Sequence, residues 1–118
     1  MILETPRLIL RKLTQDDFDD ACKLLQNPAV MYAYEGAFND QEVQEWLNKQ
    51  FTRYDKDGFG LWGVVEKSSG ELIGQCGITL QEYNNRQIPE IGYLFRQEYW
   101  HQGFATEAAI ACKKYAFE

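Results

Sequence analysis

Apolar residues change their spacing along the chain, and the changes mark off helical from extended stretches. Arg7–Leu13 alternates loosely after Pro6 and reads as a first strand. Thr14 with Asp17 three residues later resembles a capping box, and Phe18, Ala21, Cys22 and Leu25 then fall at i, i+3, i+4 and i+7 of a helix. Asn27-Pro28 ends that helix, because the residue before proline avoids helical dihedrals. Residues 29–38 are apolar and aromatic without a period, which predicts a loop holding a helical turn at most. Asn39 with Glu42 opens a second helix, in which Val43, Trp46, Leu47, Phe51 and Tyr54 keep helical spacing until Asp57-Gly58. Phe59–Glu66, Leu72–Glu82 and Ile88–Phe95 have the texture of strands, separated by turns at Ser68–Gly70 and Asn84–Arg86. Connections this short require an antiparallel meander. Gly103 then leads into an alanine-rich helix, Phe104–Phe117, with Lys113 and Lys114 near its end. The order strand, helix, helix, three strands, helix is that of an α+β domain.

Composition narrows the class. The chain has 118 residues, 45% apolar and 25% charged, which describes one small folded domain and excludes a disordered chain. No apolar run reaches the length of a membrane span, and Met1-Ile2-Leu3-Glu4 lacks the basic start and long apolar stretch of a secretory signal. A cytoplasmic location follows as the expectation. Twelve Lys+Arg against 18 Asp+Glu give a net charge of −6, spread over both halves, so no basic stripe exists for nucleic acid. The cluster Asp16, Asp17, Asp19 and Asp20 reads as a solvated helix face. Cys22, Cys76 and Cys112 form no CxxC pair and read as small buried residues; with His101 the sole histidine, no zinc site is expected.

The chemistry concentrates in residues 96–108, Arg-Gln-Glu-Tyr-Trp-His-Gln-Gly-Phe-Ala-Thr-Glu-Ala. A strand ends there, a polar loop turns, and a helix begins with Gly103 and Ala105 at alternate positions. The first N–H groups of a helix are unpaired and carry partial positive charge, and small residues let a phosphate approach them. Two other nucleotide sites are excluded. The Gly-Lys-Ser/Thr of a Walker loop is absent, and the turn follows an antiparallel meander rather than the first strand of a βαβ unit.

Leu3-Glu4-Thr5-Pro6-Arg7-Leu8-Ile9-Leu10-Arg11, Leu72-Ile73-Gly74, Glu90-Ile91-Gly92-Tyr93 and Trp100–Ala108 together resemble the GCN5-related N-acetyltransferases (GNAT), in that family's order. They look closest to its ribosomal-protein N-terminal acetyltransferase branch. The resemblance implies a mixed, mostly antiparallel sheet flanked by helices. It also implies that residues 1–118 form a single, incomplete domain lacking the family's C-terminal strands. Acetyl-CoA is the implied co-substrate, without a metal, and a protein N-terminus or small amine the implied acceptor. In the family's pyrophosphate motif, Arg/Gln-x-x-Gly-x-Gly/Ala, Gly103 and Ala105 match, while Trp100 stands in the first position. The matching backbone would run through His101, Gln102, Gly103, Phe104, Ala105 and Thr106, with Leu94 and Phe95 beside the pantetheine arm. His101 reads either as a phosphate ligand or as an exposed loop residue.

Acetyl transfer to an amine needs a base, a polarised carbonyl and a proton for the thiolate. Glu90 is the candidate base or, equally, a strand-edge surface residue. A backbone N–H near Leu94 is the candidate oxyanion donor. No convincing thiolate acid stands out, since Tyr93 falls on the strand face opposite Glu90. Tyr32, Tyr34 and Glu35, with Met31 and Phe38, either receive a cationic amine or cover the core. The alternative to an enzyme is an inactive remnant that binds coenzyme A or acts through self-association at an exposed sheet edge.

Overall fold

A computed structural model of the chain describes residues 1–34 and 36–117. It contains five strands, β1 (Leu3–Glu4), β2 (Leu8–Arg11), β3 (Leu61–Glu66), β4 (Leu72–Tyr83) and β5 (Arg86–Phe95). Three helices accompany them, α1 (Phe18–Leu25), α2 (Asp40–Asp57) and α3 (Phe104–Phe117). Short 3₁₀ turns occupy Gln15–Asp17, Tyr32–Tyr34 and Gln97–Tyr99. The sheet order is β1-β2-β3-β4-β5 and every pairing among the described residues is antiparallel.

The two halves of the sheet's core follow from strand parity. Leu8, Leu10, Trp62, Val64, Cys76, Ile78 and Phe95 pack with Phe104, Ala108 and Cys112 of α3 on one face. On the other, Leu94 packs with Ala21, Leu24, Val30 and Val43, between α1 and α2. The α2 boundaries lie where the local signals put them. Asn39 Oδ1 accepts from Glu42 N–H at 2.8 Å, Glu42 Oε1 accepts from Asn39 N–H at 3.0 Å, and Gly58 closes the helix at φ +78.

Several expectations change in detail. The first strand is shorter than Arg7–Leu13, and Leu3–Glu4 adds an outer strand that its two residues could not announce by period. The hairpin turn contracts to Asn84-Asn85, both left-handed, with Arg86 already paired to Tyr83. Such a pair of positive-φ residues fits the right-handed twist of the strands it joins. Asp17 is buried rather than solvated: its carboxylate accepts from Arg11 Nη1 and Nη2 at 2.9 Å each and from Thr14 N–H at 2.7 Å. That contact ties the end of β2 to the start of α1. Of the cysteines, Cys76 and Cys112 are buried with sulfurs 3.5 Å apart, and Cys22 is half-buried. No helix among the described residues is long and apolar enough to cross a membrane.

Candidate functional site

β5 has no neighbour among the described strands on the side away from β4. One bond fixes which of its backbone groups face that open side. Arg96 N–H donates to Ile73 O at 2.9 Å, continuing the register in which Phe95 faces Gly74. Antiparallel ladders alternate, so Leu94, Gly92 and Glu90 direct their backbone groups at β4, whereas Phe95, Tyr93 and Ile91 direct theirs outward. Pro89, which has no N–H, falls in the outward set, where a ladder loses nothing by it. The N–H of Leu94 is therefore consumed by the sheet, and the free donors next to it belong to Phe95 and Tyr93.

The strand ends at a loop whose shape is set by two left-handed residues, His101 at φ +64 and Gly103 at φ +81. A Cβ on Gly103 would meet only Arg7 Nη2, at 3.4 Å, so glycine is required there by its dihedral rather than by crowding. The loop is fastened at several points. Trp100 Nε1 donates to Phe95 O at 2.8 Å, Gln102 Nε2 to Glu98 O at 3.0 Å, and Arg7 Nη1 to Gln102 O at 3.0 Å. Glu107 N–H makes the first bond of α3, to Gly103 O at 3.0 Å. In contrast, the N–H groups from His101 through Thr106 meet no acceptor among the described residues. Unpaired N–H groups in series at a helix start form a concave anion site.

Two adjoining clefts lie where the open strand meets this loop. An inner one of about 230 Å³ is lined by Val30, Tyr93, Leu94, Phe95, Trp100 and Ala105. A second, of about 280 Å³, follows the loop past Tyr99, His101, Gly103, Phe104 and Thr106. They share Phe95, Trp100 and Ala105. An apolar slot beside an open strand edge, continuous with an N–H-lined arch, suits a ligand with a thin arm and an anionic end. The residues present fit the pantetheine and pyrophosphate of coenzyme A.

The model of the acetyltransferase (GNAT) domain family matches residues 7–118. The chain belongs to the GNAT acetyltransferase family. It is 39% identical over 118 residues to the Bacillus subtilis protein YkkB, a match covering 98% of this chain and 67% of that one. It is 32% identical to YoaA of Bacillus subtilis, named an N-acetyltransferase, over 98% of this chain and 66% of that one. The crystal structure of an acetyltransferase from Agrobacterium tumefaciens superposes with a TM-score of 0.83 at 28% identity, covering 98% of this chain and 66% of that one. The chain thus spans about two-thirds of the length of these relatives. Members of the family generally take the acetyl group from acetyl-CoA.

The residues singled out from the sequence fall into two sets. Leu94, Phe95, His101, Gly103, Phe104, Ala105 and Thr106 come together around the clefts. Gln102 belongs to the same loop, but its side chain is turned back to Glu98. Glu90 is not brought to the clefts. It is exposed on the outer half of the β4–β5 hairpin, four residues or about 13 Å along the strand from Leu94. Its nearest polar partner is Tyr83 Oη at 3.4 Å. Tyr32, 88% exposed, and Tyr34 sit on the 3₁₀ turn just beyond Val30 and line neither cleft, and Glu35 lies outside the described residues. Met31 is buried and Phe38 packs on the same cluster, so both serve the core. Sequence reasoning missed Val30, Tyr93, Tyr99 and Trp100 as cleft walls. Among the described residues, no three His, Cys, Asp or Glu side chains gather as metal ligands do.

Proposed function

We propose that residues 1–118 act as one acetyl-transfer domain, moving an acetyl group from acetyl-CoA to a primary amine. The observation that carries this reading is the run of unpaired N–H groups from His101 to Thr106 beside the open edge of β5. In it, the loop amides hold the pyrophosphate, and the outward N–H and C=O of Tyr93 and the N–H of Phe95 pair with the pantetheine arm, the Phe95 carbonyl being taken by Trp100 Nε1. The thioester supplies an activated carbonyl. A free N–H of Tyr93 or Phe95, rather than that of Leu94, is placed to polarise it. The neutral amine nitrogen forms the new bond to the carbonyl carbon, the carbon–sulfur bond breaks, and the proton that the nitrogen sheds on becoming an amide is taken up by the thiolate. Glu90 shares the Leu94 face of β5, and from about 13 Å along the strand it takes up the ammonium proton only at the end of a chain of several waters. The Tyr32–Tyr34 turn, adjoining Val30, is the acceptor side, open to a protein N-terminus or a small amine. The cytoplasm, where thiols such as Cys22, Cys76 and Cys112 stay reduced, is the setting we assign.

A thermal-shift titration with coenzyme A and acetyl-CoA tests the reading first. Ligand at 100 times its dissociation constant stabilises the fold by about 2.7 kcal/mol. For a domain of this size that raises the melting temperature by about 11 °C. Turnover with an amine panel follows. A cooperative melt unmoved by either ligand refutes the proposal.

One observation favours a second reading, association between copies without catalysis. The open side of β5 lies beside exposed Tyr93, and Tyr115 and Phe117 of α3 are also exposed. An unpaired strand edge is a template for another chain. Light scattering at rising concentration separates the readings: dimers with no response to coenzyme A support the second alone.

A further inference from the structure

The turn between β1 and β2 reaches the anion-binding loop from almost the whole length of the chain away. Thr5 Oγ1 donates to Glu107 Oε2 at 2.5 Å, Arg7 N–H to the same oxygen at 3.0 Å, and Arg7 Nε to Glu107 Oε1 at 2.7 Å. The same guanidinium donates through Nη1 to Gln102 O at 3.0 Å and lies 4.2 Å from the centre of the Phe104 ring. The Thr5 hydroxyl is fixed in turn by accepting from Leu8 N–H at 3.0 Å.

We propose that Thr5 and Arg7 are positioning residues for the anion site: they turn the Glu107 carboxylate away from the loop and hold the Gln102–Gly103 arch in its binding shape. This rests on the reading of that loop as the coenzyme A pyrophosphate site. Glu107 stands in the first turn of α3, where a carboxylate competes with an incoming phosphate for the same N–H groups and the same helix dipole. Three donors from the β1–β2 turn occupy both of its oxygens, and Arg7 cancels its charge. Arg7 then uses the other arm of its fork on the one loop carbonyl, Gln102 O, that lies between the two left-handed residues. His101, with a Cβ and φ +64, adopts the left-handed region at a cost that surrounding contacts help to offset. A stabilising role alone does not account for the arrangement. The Arg7 side chain is 45% exposed and that of Glu107 18%, so the pair itself also steadies the fold, but the bond from Arg7 to Gln102 O lies on the loop and outside the pair. Only arginine offers a planar fork that meets a carboxylate and a carbonyl at once.

The test compares Arg7→Gln, Arg7→Lys and the double variant Arg7→Gln/Glu107→Gln. Dissociation constants for coenzyme A and for pantetheine, which lacks the pyrophosphate, are measured by calorimetry, and ¹⁵N order parameters of Gln102 and Gly103 in unliganded protein. Arg7→Gln is expected to weaken coenzyme A about tenfold, within the usual range of coupling between linked sites, and to leave pantetheine unchanged. Removing the Glu107 charge as well should recover part of the loss. Arg7→Lys, which keeps the charge but not the fork, should fall between. The order parameters of Gln102 and Gly103 should drop from about 0.85 toward 0.6 in Arg7→Gln. Unchanged coenzyme A affinity in folded Arg7→Gln overturns the proposal, as does an equal loss for pantetheine. If the wild-type chain binds no coenzyme A, the acetyl-transfer reading fails, and the order parameters alone then decide whether Arg7 positions the loop.

Discussion

Replacing Asp17 with Asn tests whether the link between β2 and α1 is charged, and pH supplies an independent handle on the same group. Burial by itself pushes the Asp17 carboxyl up. The Arg11 guanidinium, with its charge and two hydrogen bonds, together with the Thr14 N–H, outweighs burial and holds it below the ordinary carboxylate range. Arg11 is raised correspondingly, its hydrogen bond to Asp17 outweighing its own burial. Asp17→Asn keeps the shape, removes the charge and faces at least one Arg11 N–H with an amide. The Asp17 side chain is 7% exposed and that of Arg11 36%, so the loss lies between that of a surface pair and that of a fully buried one. We expect about 2–3 kcal/mol at pH 7, or a melting temperature lower by about 8–12 °C. Because the folded carboxyl titrates below the unfolded one, its contribution is complete above about pH 5 and is lost as pH falls through the folded value. Urea melts of wild type and Asp17→Asn from pH 7 down to pH 3 should therefore converge at the acid end. A gap between them that stays constant across that range refutes an ionised Asp17.

Two further substitutions probe the site and the sheet beneath it. Ala105→Glu sets a carboxylate in the first turn of α3, where the two clefts meet. Ala105 is half-buried against the core, so the helix dipole offsets only part of the cost of a carboxylate there; the unliganded fold should still melt cooperatively, while the melting shift with coenzyme A disappears. A shift of wild-type size shows that the anion binds elsewhere. Gly77→Ala would place a methyl 2.0 Å from Gly60 O and 2.8 Å from Leu61 Cα, both backbone atoms that cannot swing aside. A loss of about 3 kcal/mol or more is expected in urea, and a stable, native-like variant shows that β3 and β4 are not so close.

What could be read from the sequence depended on how local its cause is. The α2 helix carries its own start and stop, Asn39–Glu42 and Gly58, and both lie where expected. The turn between β4 and β5 is legible only approximately, as Asn84–Arg86, because left-handed Asn84 and Asn85 close it in two residues and Arg86 already pairs with Tyr83. Features that depend on a partner brought up by a neighbouring element were not legible. Asp17 looks like its acidic neighbours until β2 delivers Arg11 to it. Gln50 interrupts the apolar face of α2, yet it is buried, because its Oε1 accepts the Leu61 N–H and an Arg53 N–H. Glu90 shows both sides of the matter. Its parity with Leu94 follows from the strand period, but the 12 residues of β4 and 10 of β5 carry the hairpin beyond the body of the domain, and Glu90 goes with it.

The junction of strand and loop explains why two clefts with different chemistry share one wall. Phe95 is the last residue of β5, and its ring lies over Gly74, where a Cβ would come within 2.7 Å of the ring and 2.5 Å of Leu94 O. The missing side chain of β4 thus seats the end of β5. With the ring fixed in the core, the Phe95 carbonyl receives Trp100 Nε1, and that bond sets the direction in which the loop leaves the strand. The outward backbone groups of β5 and the unpaired groups of the arch are then oriented by neighbouring atoms of a single packed residue. A ligand that contacts both meets them in a fixed relation, which spares it the cost of ordering the site on binding. It follows that any change letting Phe95 move should weaken a ligand spanning both clefts more than a fragment filling either one.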